Sequence, residues 1–439
     1  MQIDKTTLAD LNIFGNADDQ LSVYQHVNQC RTNGGAFYLQ QLMQKPLSTV
    51  EAIEQTQQLL QRIIAVQAHW PTYVTNGTIM VVERFYDTPV GDMPMHPNLF
   101  NAYAYKWLNG ADYALVRYSI KHVADLVKGM LALHHLLQSD ANPPLLKQLL
   151  AEIEQVTQAA LTVNLTAYAG VETRNPVQVL QVGNFLQRFF KQQALSLVQV
   201  YSKLDAYFGM ASTIVQYGYT FPKVSTSGKP MLTAAQLYHP LLPTPTAYDV
   251  ELLQAQNFLF LTGANMAGKS TFIKAVGVAA YLAHIGMAVP AKQMHITCLE
   301  GLLSNIQMAD NLIKGESYFF NEVQRIKKTI EKINDGKPWL ILIDELFKGT
   351  NVQDAMKCST AVIEGLRKMQ NAIFILSTHL YEIAAHLQQY ENLQFRYFET
   401  AVANEQLVFS YQLKEGVSND RLGYLILKRE GVVEMLEAL

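Results

Sequence analysis

The nine residues at positions 263–271, Gly-Ala-Asn-Met-Ala-Gly-Lys-Ser-Thr, have the types and spacing of a phosphate-binding loop. The two glycines allow a tight turn and a close approach of backbone N–H groups to phosphate oxygens. Lys269 is suited to reach the β- and γ-phosphates of a nucleotide, and the Ser270 hydroxyl is suited to bind Mg²⁺. The apolar run 258–261 predicts a buried strand before the loop, and the helix predicted after it has an N-terminus that favours anions. The residues predicted to contact ATP are Gly263, Ala264, Asn265, Met266, Ala267, Gly268, Lys269, Ser270 and Thr271.

Two further apolar runs end in polar residues that suit the same chemistry. The run at 339–345 ends in Asp344 and Glu345, as expected where a buried parallel strand delivers acids to a ligand crevice. Asp344 is predicted to hold Mg²⁺ directly or through water, and Glu345 to polarise the attacking water as general base. The run at 372–376 leads to His379, which is suited to donate a hydrogen bond to the γ-phosphate.

Each motif has a plainer explanation when it is taken alone. A glycine-rich loop arises by chance, an acidic pair is an ordinary strand end, and a single histidine is usually a surface or core residue. Polar groups at the ends of three apolar runs instead favour one shared crevice. We therefore predict an ATP hydrolase in which Lys269, Glu345 and His379 are catalytic and Ser270 and Asp344 bind Mg²⁺.

These segments resemble the ATPase of the MutS family of DNA mismatch-repair proteins. The resemblance rests on Asn265-Met266 and on the segments LYHPLL at 237–242, IGMAVPA at 285–291, GESYFFNEV at 315–323, DELFKGTN at 344–351 and Ser-Thr-His at 377–379. It implies an α/β P-loop ABC-type ATPase domain with an N-terminal all-α lever domain. It also implies a homodimer in which Ser317 contacts the γ-phosphate held by the opposite subunit. Asn265 would then contact the phosphates or the signature helix of the partner.

The sequence departs from the family pattern at five positions. Ala264 and Ala267 replace the usual Pro and Gly of the loop, and both are small enough for the loop to close. Glu316 stands where a basic residue is common, and Phe347-Lys348 replace the usual Gly-Arg pair. We still expect nucleotide binding. The strength of coupling between the two subunits is the property that these changes affect.

The first half of the chain has the pattern of a helical domain. Apolar residues recur at spacings of three and four across 116–137, which predicts an amphipathic helix. Further helices are predicted over 145–161 and 177–217. The stretch 22–63 resembles the opening of the family's lever domain. We therefore predict a lever domain over residues 1–220.

Alternating apolar residues across 395–413 predict a β-hairpin. The stretch 416–436 resembles the helix–turn–helix with which the family's ATPase packs against its partner. We predict an ATPase domain over 221–415 and a dimerisation segment over 416–439. Tyr248 is open to two interpretations, as an adenine-stacking residue or as a tyrosine at a strand edge.

Family members that read mismatches carry two further domains before the lever and a Phe-x-Glu motif that wedges into the mispair. Here the lever begins close to Met1, which leaves no room for those domains. Phe320-Asn321-Glu322 matches Phe-x-Glu, but we interpret the match as coincidence because it lies in the predicted signature helix. The resemblance is therefore to truncated MutS-related proteins, and we do not expect mismatch recognition by this chain alone.

Composition predicts an ordered protein in a reducing compartment. Of the 439 residues, 49% are hydrophobic and 16% are charged, which suits a large core and more than one domain. The three cysteines, at positions 30, 298 and 358, are odd in number and lack metal-ligand spacing. The N-terminal residues lack the pattern of a secretory signal, and the apolar run 275–291 is short for a membrane span. We expect a cytoplasmic protein with no membrane partner.

The net charge of −3 neither requires nor excludes a nucleic-acid partner. Residues 100–245 carry 11 Lys and Arg against 7 Asp and Glu, and Arg117, Lys121 and Lys128 follow one stripe of a predicted helix. That stripe is either a solvated surface or a phosphate-contact face. The family resemblance leads us to predict ATP-gated binding of duplex or branched DNA in repair or recombination. Repair proteins are expected as further partners.

Two other functions fit parts of the sequence. A nucleotide-switched dimeric scaffold could use the MutS fold without direct DNA binding. An ATPase subunit of a transporter is less expected, because its Leu-Ser-Gly-Gly-Gln signature is absent from the sequence. DNA binding measured across salt concentrations separates the scaffold from the DNA-binding protein, since phosphate contacts give a steep salt dependence.

Overall fold

A computed structural model describes residues 1–15, 21–162, 164–169, 175–226, 229–306, 318–403, 406–418 and 431–437. The chain forms two compact units. The first unit is mixed α/β and combines Met1–His26, Lys45–Glu54 and Tyr217–Leu439. The second unit is helical and combines Val27–Gln44 and Gln55–Gln216.

The helices in the described ranges are α1 (Lys5–Asp10), α2 (Val23–Val27), α3 (Asn33–Gln44), α4 (Val50–Val66), α5 (Asn76–Asp87), α6 (Leu99–Leu108), α7 (Gly110–Leu137), α8 (Pro144–Thr162), α9 (Pro176–Phe189), α10 (Lys191–Tyr217), α11 (Lys269–His284), α12 (Tyr318–Ile333), α13 (Val352–Leu366), α14 (Ala384–Leu387) and α15 (Val432–Glu437). The strands are β1 (Gln2–Ile3), β2 (Lys223–Ser225), β3 (Leu232–Leu237), β4 (Tyr248–Leu252), β5 (Phe258–Thr262), β6 (Gln293–Thr297), β7 (Gly301–Asn305), β8 (Trp339–Asp344), β9 (Ala372–Ser377), β10 (Leu393–Ala403) and β11 (Gln406–Glu415).

The larger sheet has the order β1-β7-β8-β9-β5-β10-β11 and is parallel except for the pair β10–β11. Strands β5, β8 and β9 are buried along their whole length, as expected for parallel strands covered on both faces. The three apolar runs are thereby confirmed as central strands. Their register places Leu261 and Asp344 on either side of Ser377, so the three carboxyl ends lie side by side.

The smaller sheet has the order β2-β6-β3-β4. The predicted hairpin is also confirmed, because β10 and β11 pair antiparallel from Arg396↔Glu415 to Ala403↔Gln406. Their register shifts after Phe398, whose side chain is fully buried. The irregularity allows one end of the hairpin to extend the parallel sheet through β5 while the other end leaves it.

The first residues of the chain complete one edge of the larger sheet. Gln2 pairs with Gly301 in β7, and Thr7 of α1 accepts the backbone N–H of Ser304 at 2.9 Å. The Ser304 hydroxyl donates to the buried carboxylate of Asp10 at 2.5 Å. The chain therefore divides differently from the predicted lever over 1–220, because its N-terminal segment belongs to the α/β unit.

The helical unit contains the helices predicted over 116–137 and 145–161. The single helix predicted over 177–217 is wrong, because the chain forms α9 and α10 with a break between them. At the break Phe190 has φ −117° and ψ 0°, and its fully buried ring stacks on Phe185 with centroids 5.5 Å apart. Packing of one aromatic ring therefore takes precedence over helical continuity.

Most of the predicted dimerisation segment, 416–439, lies outside the described residues, which include only 416–418 and 431–437 there. None of the helices in the described part of the chain combines the length and the apolar character that a membrane span requires.

A buried carboxylate organises the start of the helical unit. Asp205 of α10 accepts the backbone N–H of Arg31 at 3.0 Å, and the N–H and hydroxyl of Thr32 at 2.8 and 2.6 Å. Burial raises the pKa of Asp205, although these hydrogen bonds oppose the effect. A side-chain carbon at Gly35 would lie 2.2 Å from the Asp205 carboxylate, so this position has room only for glycine.

Replacing Gly35 with alanine should destabilise the protein by about 1–3 kcal/mol, the usual cost of adding atoms to a filled site. Urea unfolding followed by circular dichroism would measure the change in the unfolding midpoint. Gly110→Ala is the matched control, because no atom lies within 4 Å of the added carbon and alanine favours a helix. Identical midpoints for Gly35→Ala and the unmodified protein would contradict this account.

Candidate functional site

The loop between β5 and α11 has a backbone that its two glycines permit. Gly263 and Gly268 have φ values of +138° and +108°, and Met266 has a φ of +66°. A side-chain carbon at Gly263 would lie 3.2 Å from Phe398 of β10, so the loop rests against the hairpin. Helix α11 begins directly after Gly268 with no side-chain cap, which leaves its first N–H groups to bind another acceptor.

Lys269 is folded into this loop. Its ammonium donates to the carbonyl oxygens of Gly263 and Ala264, each at 2.8 Å, and its side chain is nearly buried. Burial lowers the pKa of Lys269 to about 8, although the carboxylates of Glu345 and Asp344 act in the opposite direction. The loop therefore holds a cation that is already partly stripped of water.

Asp344 lies beside the start of α11. The Ser270 hydroxyl donates to its Oδ2 at 2.5 Å, and the Ser377 hydroxyl donates to its Oδ1. No group of three or more His, Cys, Asp or Glu that could hold a metal ion occurs among the described residues. A hydroxyl and one carboxylate nevertheless fit Mg²⁺, which usually takes one or two carboxylates and completes its shell with phosphates and water.

Glu345 follows β8 with a φ of +60° and lies between two basic side chains. Its Oε1 is 2.7 Å from Nε2 of His379, and its Oε2 is 2.8 Å from Nζ of Lys348. Burial would raise the pKa of Glu345, but the hydrogen bonds from His379 and Lys348 outweigh it and lower the pKa to about 2. His379 is also 3.5 Å from Nζ of Lys269, so the strand-end groups form one cluster.

The structure brings together most of the residues predicted for the site. Lys269, Ser270, Asp344, Glu345 and His379 contact one another in the chain of interactions above. Among the loop residues, Ala264 and Ala267 are buried, whereas Asn265 and Met266 are exposed. Thr271 is half-buried in the first turn of α11. The predicted signature residue Ser317 lies outside the described residues.

Tyr248 is the tyrosine of an edge strand. Its ring is buried and meets Phe272 and Phe398 edge to face, with centroids 5.4 and 5.7 Å apart. A ring enclosed in this way is part of the core. The structure therefore favours the strand-edge interpretation over adenine stacking by Tyr248.

Tyr411 is a neighbour of the loop that the sequence did not reveal. Its ring lies 3.4 Å from where a side-chain carbon at Gly268 would stand, and the residue is 42% exposed. Tyr411 has a φ of +52°, so it departs from the regular alternation of a strand. In the sequence it belonged to an ordinary hairpin pattern, and only the packing of β11 against the loop distinguishes it.

The basic stripe predicted on α7 is partly engaged within its own unit. The ammonium of Lys128 lies over the ring of Tyr73, 4.8 Å from the centroid. The ammonium is attracted to the face of the aromatic ring, so Lys128 already has a partner within its own unit. Lys128 is accordingly not a simple solvated charge.

Comparisons with known proteins point to the same region. Residues 259–436 match the family model of MutS domain V. The DNA mismatch repair protein MutS of Pseudothermotoga lettingae is 28% identical over 233 residues, which are 52% of this chain and 28% of that protein. MutS of Thermus aquaticus is 30% identical over 249 residues, 55% of this chain and 29% of that protein.

The chain spans less than a third of the length of either relative. The family match covers the loop, the two strand-end acids and the strand-end histidine described above. Sequence similarity and site geometry thus coincide in one α/β unit. Over residues 259–436 this chain is therefore similar to MutS domain V.

Proposed function

We propose that this protein binds and hydrolyses ATP with Mg²⁺ at the strand-end site and uses the nucleotide to gate DNA binding in repair or recombination. The observation that carries the proposal is the contact of Ser270 with Asp344. It joins a glycine-bounded loop, which suits phosphates, to a strand-end acid, which suits a divalent cation. The names of the relatives, DNA mismatch repair protein MutS, support the DNA-related role.

The residues divide the chemistry among them. Backbone N–H groups of the loop and the α11 N-terminus would bind phosphate oxygens. Lys269 would leave its carbonyl partners for the β- and γ-phosphates and neutralise charge that develops during in-line attack. Ser270 and Asp344 would hold Mg²⁺, which supplies charge neutralisation at the phosphate oxygens when bound.

Glu345 would orient and deprotonate the attacking water. Its contacts with His379 and Lys348 make it a weak base in this structure, because both stabilise its charged form. A turn of His379 toward a γ-phosphate would remove one of these hydrogen bonds and increase the basicity of Glu345. The arrangement thereby links the arrival of the phosphate to activation of the base.

The remaining parts of the proposal follow from the family. The protein would act as a homodimer with composite sites, in which Ser317 contacts the partner's nucleotide, and it would bind duplex or branched DNA together with repair proteins. The helical unit would be its lever. The cysteines at positions 30, 298 and 358 are free thiols, which fits a reducing compartment such as the cytoplasm.

Glu345→Gln tests the proposal as a whole. Loss of the general base should slow ATP hydrolysis about 100- to 1,000-fold while nucleotide binding is retained. Fluorescence anisotropy with duplex and branched DNA, in ATP, in ADP and without nucleotide, should show salt-sensitive binding that depends on ATP. ATP-driven dimerisation with no DNA binding at any salt concentration would overturn the DNA role and favour the scaffold. Hydrolysis that is unchanged in Glu345→Gln would overturn the catalytic role.

The low pKa of Lys269 predicts a pH dependence of ATP affinity. Below pH 8 the free protein carries a charged ammonium, and above pH 8 the proton must be taken up before the phosphates are neutralised. The Kd for ATP, measured by calorimetry, should therefore rise up to about tenfold per pH unit above that value. In Lys269→Arg the guanidinium stays charged, so any remaining affinity should be flat across the same range. A Kd for the unmodified protein that does not change up to pH 9.5 would contradict the buried-cation account.

Tyr411 is predicted to contact the purine base. Tyr411→Ala should weaken ATP binding by roughly 5- to 100-fold, the usual range for loss of a stacking ring, whereas Tyr411→Phe should bind like the unmodified protein. Inorganic tripolyphosphate has no base and should compete equally well in all three proteins. If Tyr411→Ala weakens ATP and tripolyphosphate alike, the ring supports the loop and does not contact the base.

A further inference from the structure

Helix α12 carries a buried carboxylate that the proposed mechanism does not use. Glu322 is only 5% exposed, and its Oε1 accepts the backbone N–H of Lys348 at 3.3 Å. No group in the described part of the chain donates a hydrogen bond to its Oε2. The side chain lines a small cavity together with Asp344 and Glu345. Burial raises the pKa of Glu322, although hydrogen bonds from the backbone N–H groups of residues 347–349, in the loop after β8, oppose the effect.

Burying a glutamate at this position costs free energy, because its carboxyl group loses contact with water. The neighbouring positions Ile326 and Ile333 on the same helix belong to the apolar core of the unit. An apolar side chain at position 322 would join that core, whereas a carboxyl group must be desolvated and only one of its oxygens is bonded. Packing therefore does not explain Glu322, and its hydrogen bond from the Lys348 N–H is the feature that needs an explanation.

That hydrogen bond is made to a loop with a strained backbone. Glu345 and Phe347 each have a φ of +60°, a conformation that costs non-glycine residues of order 1–3 kcal/mol and persists only where neighbours enforce it. Residues Glu322 and Phe319 of α12 contact this loop. Glu322 binds the Lys348 N–H, and the ring of Phe319 meets the buried ring of Phe347 with centroids 5.6 Å apart.

The same loop fixes the proposed general base. The backbone N–H of Lys348 donates to Glu322, and the Lys348 ammonium makes an ion pair with the Glu345 carboxylate at 2.8 Å. A change in the backbone at 347–349 would therefore move both the base and the cation that stabilises it.

Helix α12 is itself anchored through Arg325, three residues after Glu322. Arg325 makes an ion pair with Asp4 at 2.7 Å and donates to the Ser304 carbonyl at 2.8 Å and to Asn305 Oδ1 at 2.6 Å. These contacts fix the helix against β7 and the N-terminal segment. The helix is thus a firm support from which Glu322 can hold the loop.

We propose that Glu322 is a positioning residue, which orients Glu345 by holding the backbone of the 345–349 loop against α12. The inference rests on the proposed ATP hydrolysis. Because α12 begins at Tyr318, directly after the predicted signature residue Ser317, a shift of this helix would be transmitted to the base. The glutamate of the Phe-x-Glu match at 320–322 would then serve to position the general base.

Glu322→Met and Glu322→Leu remove the acceptor and add apolar surface to a buried site, so both variants should fold. Their kcat for ATP hydrolysis should fall about 10- to 100-fold, the usual effect of a base misplaced by about 1 Å, while the Kd for ATP stays unchanged. Glu322→Gln keeps an oxygen acceptor and should restore most of the rate. Glu331→Met, at an exposed position of the same helix, is the matched control and should behave like the unmodified protein.

Thermal unfolding separates positioning from simple destabilisation, because the apolar variants should unfold at the same or a higher temperature. Adding Lys348→Ala to Glu322→Met should reduce kcat little further, since both changes act on Glu345 through one loop. An unchanged kcat in both apolar variants would overturn the inference, as would Glu322→Gln behaving like Glu322→Met. An unmodified protein without Glu345-dependent hydrolysis would instead overturn the proposed function.

Discussion

The contact on which the site depends is the carboxylate of Asp344 between two hydroxyl groups. Ser377 donates from the end of the next strand, and Ser270 donates from the first turn of α11. Parallel pairing makes this geometry possible, because the register of β8, β9 and β5 brings three carboxyl ends to the same level. A nearly buried carboxylate without such donors would be costly, so the hydroxyls stabilise the acid and join the loop to the sheet at once.

Around this contact, the charged side chains of Lys269 and Glu345 are bound by other groups of the protein. Carbonyl oxygens of the loop hold Lys269, and two basic side chains hold Glu345. Burial lowers the pKa of Lys269 to about 8. Burial acts to raise the pKa of Glu345, but its hydrogen bonds from His379 and Lys348 prevail and lower it to about 2. An anion at the loop would compete for both Lys269 and His379. Under the proposed function, the nucleotide phosphates would replace these internal contacts.

Several features could be predicted from the sequence because they are local. Unbroken apolar runs predict buried parallel strands, and glycine spacing predicts the loop, as at Gly263 and Gly268. Features set by distant packing could not be predicted. The break at Phe190 follows from a ring that packs in the core, and the place of Tyr411 follows from an irregular hairpin. Glu322 matched a short motif, but its partner is the backbone of a loop 26 residues away.

The discontinuous α/β unit has a consequence for synthesis of the chain. Gln2 pairs with Gly301, so the N-terminal segment leaves the ribosome long before its partner strand exists. The helical unit, from Val27–Gln44 and Gln55–Gln216, is complete much earlier. Since domains generally fold as they emerge and long-range pairing is slow, the helices should fold first. Strand β1 would then reach its final place only after β7 has been made, and until that point the nascent chain carries an unpaired strand.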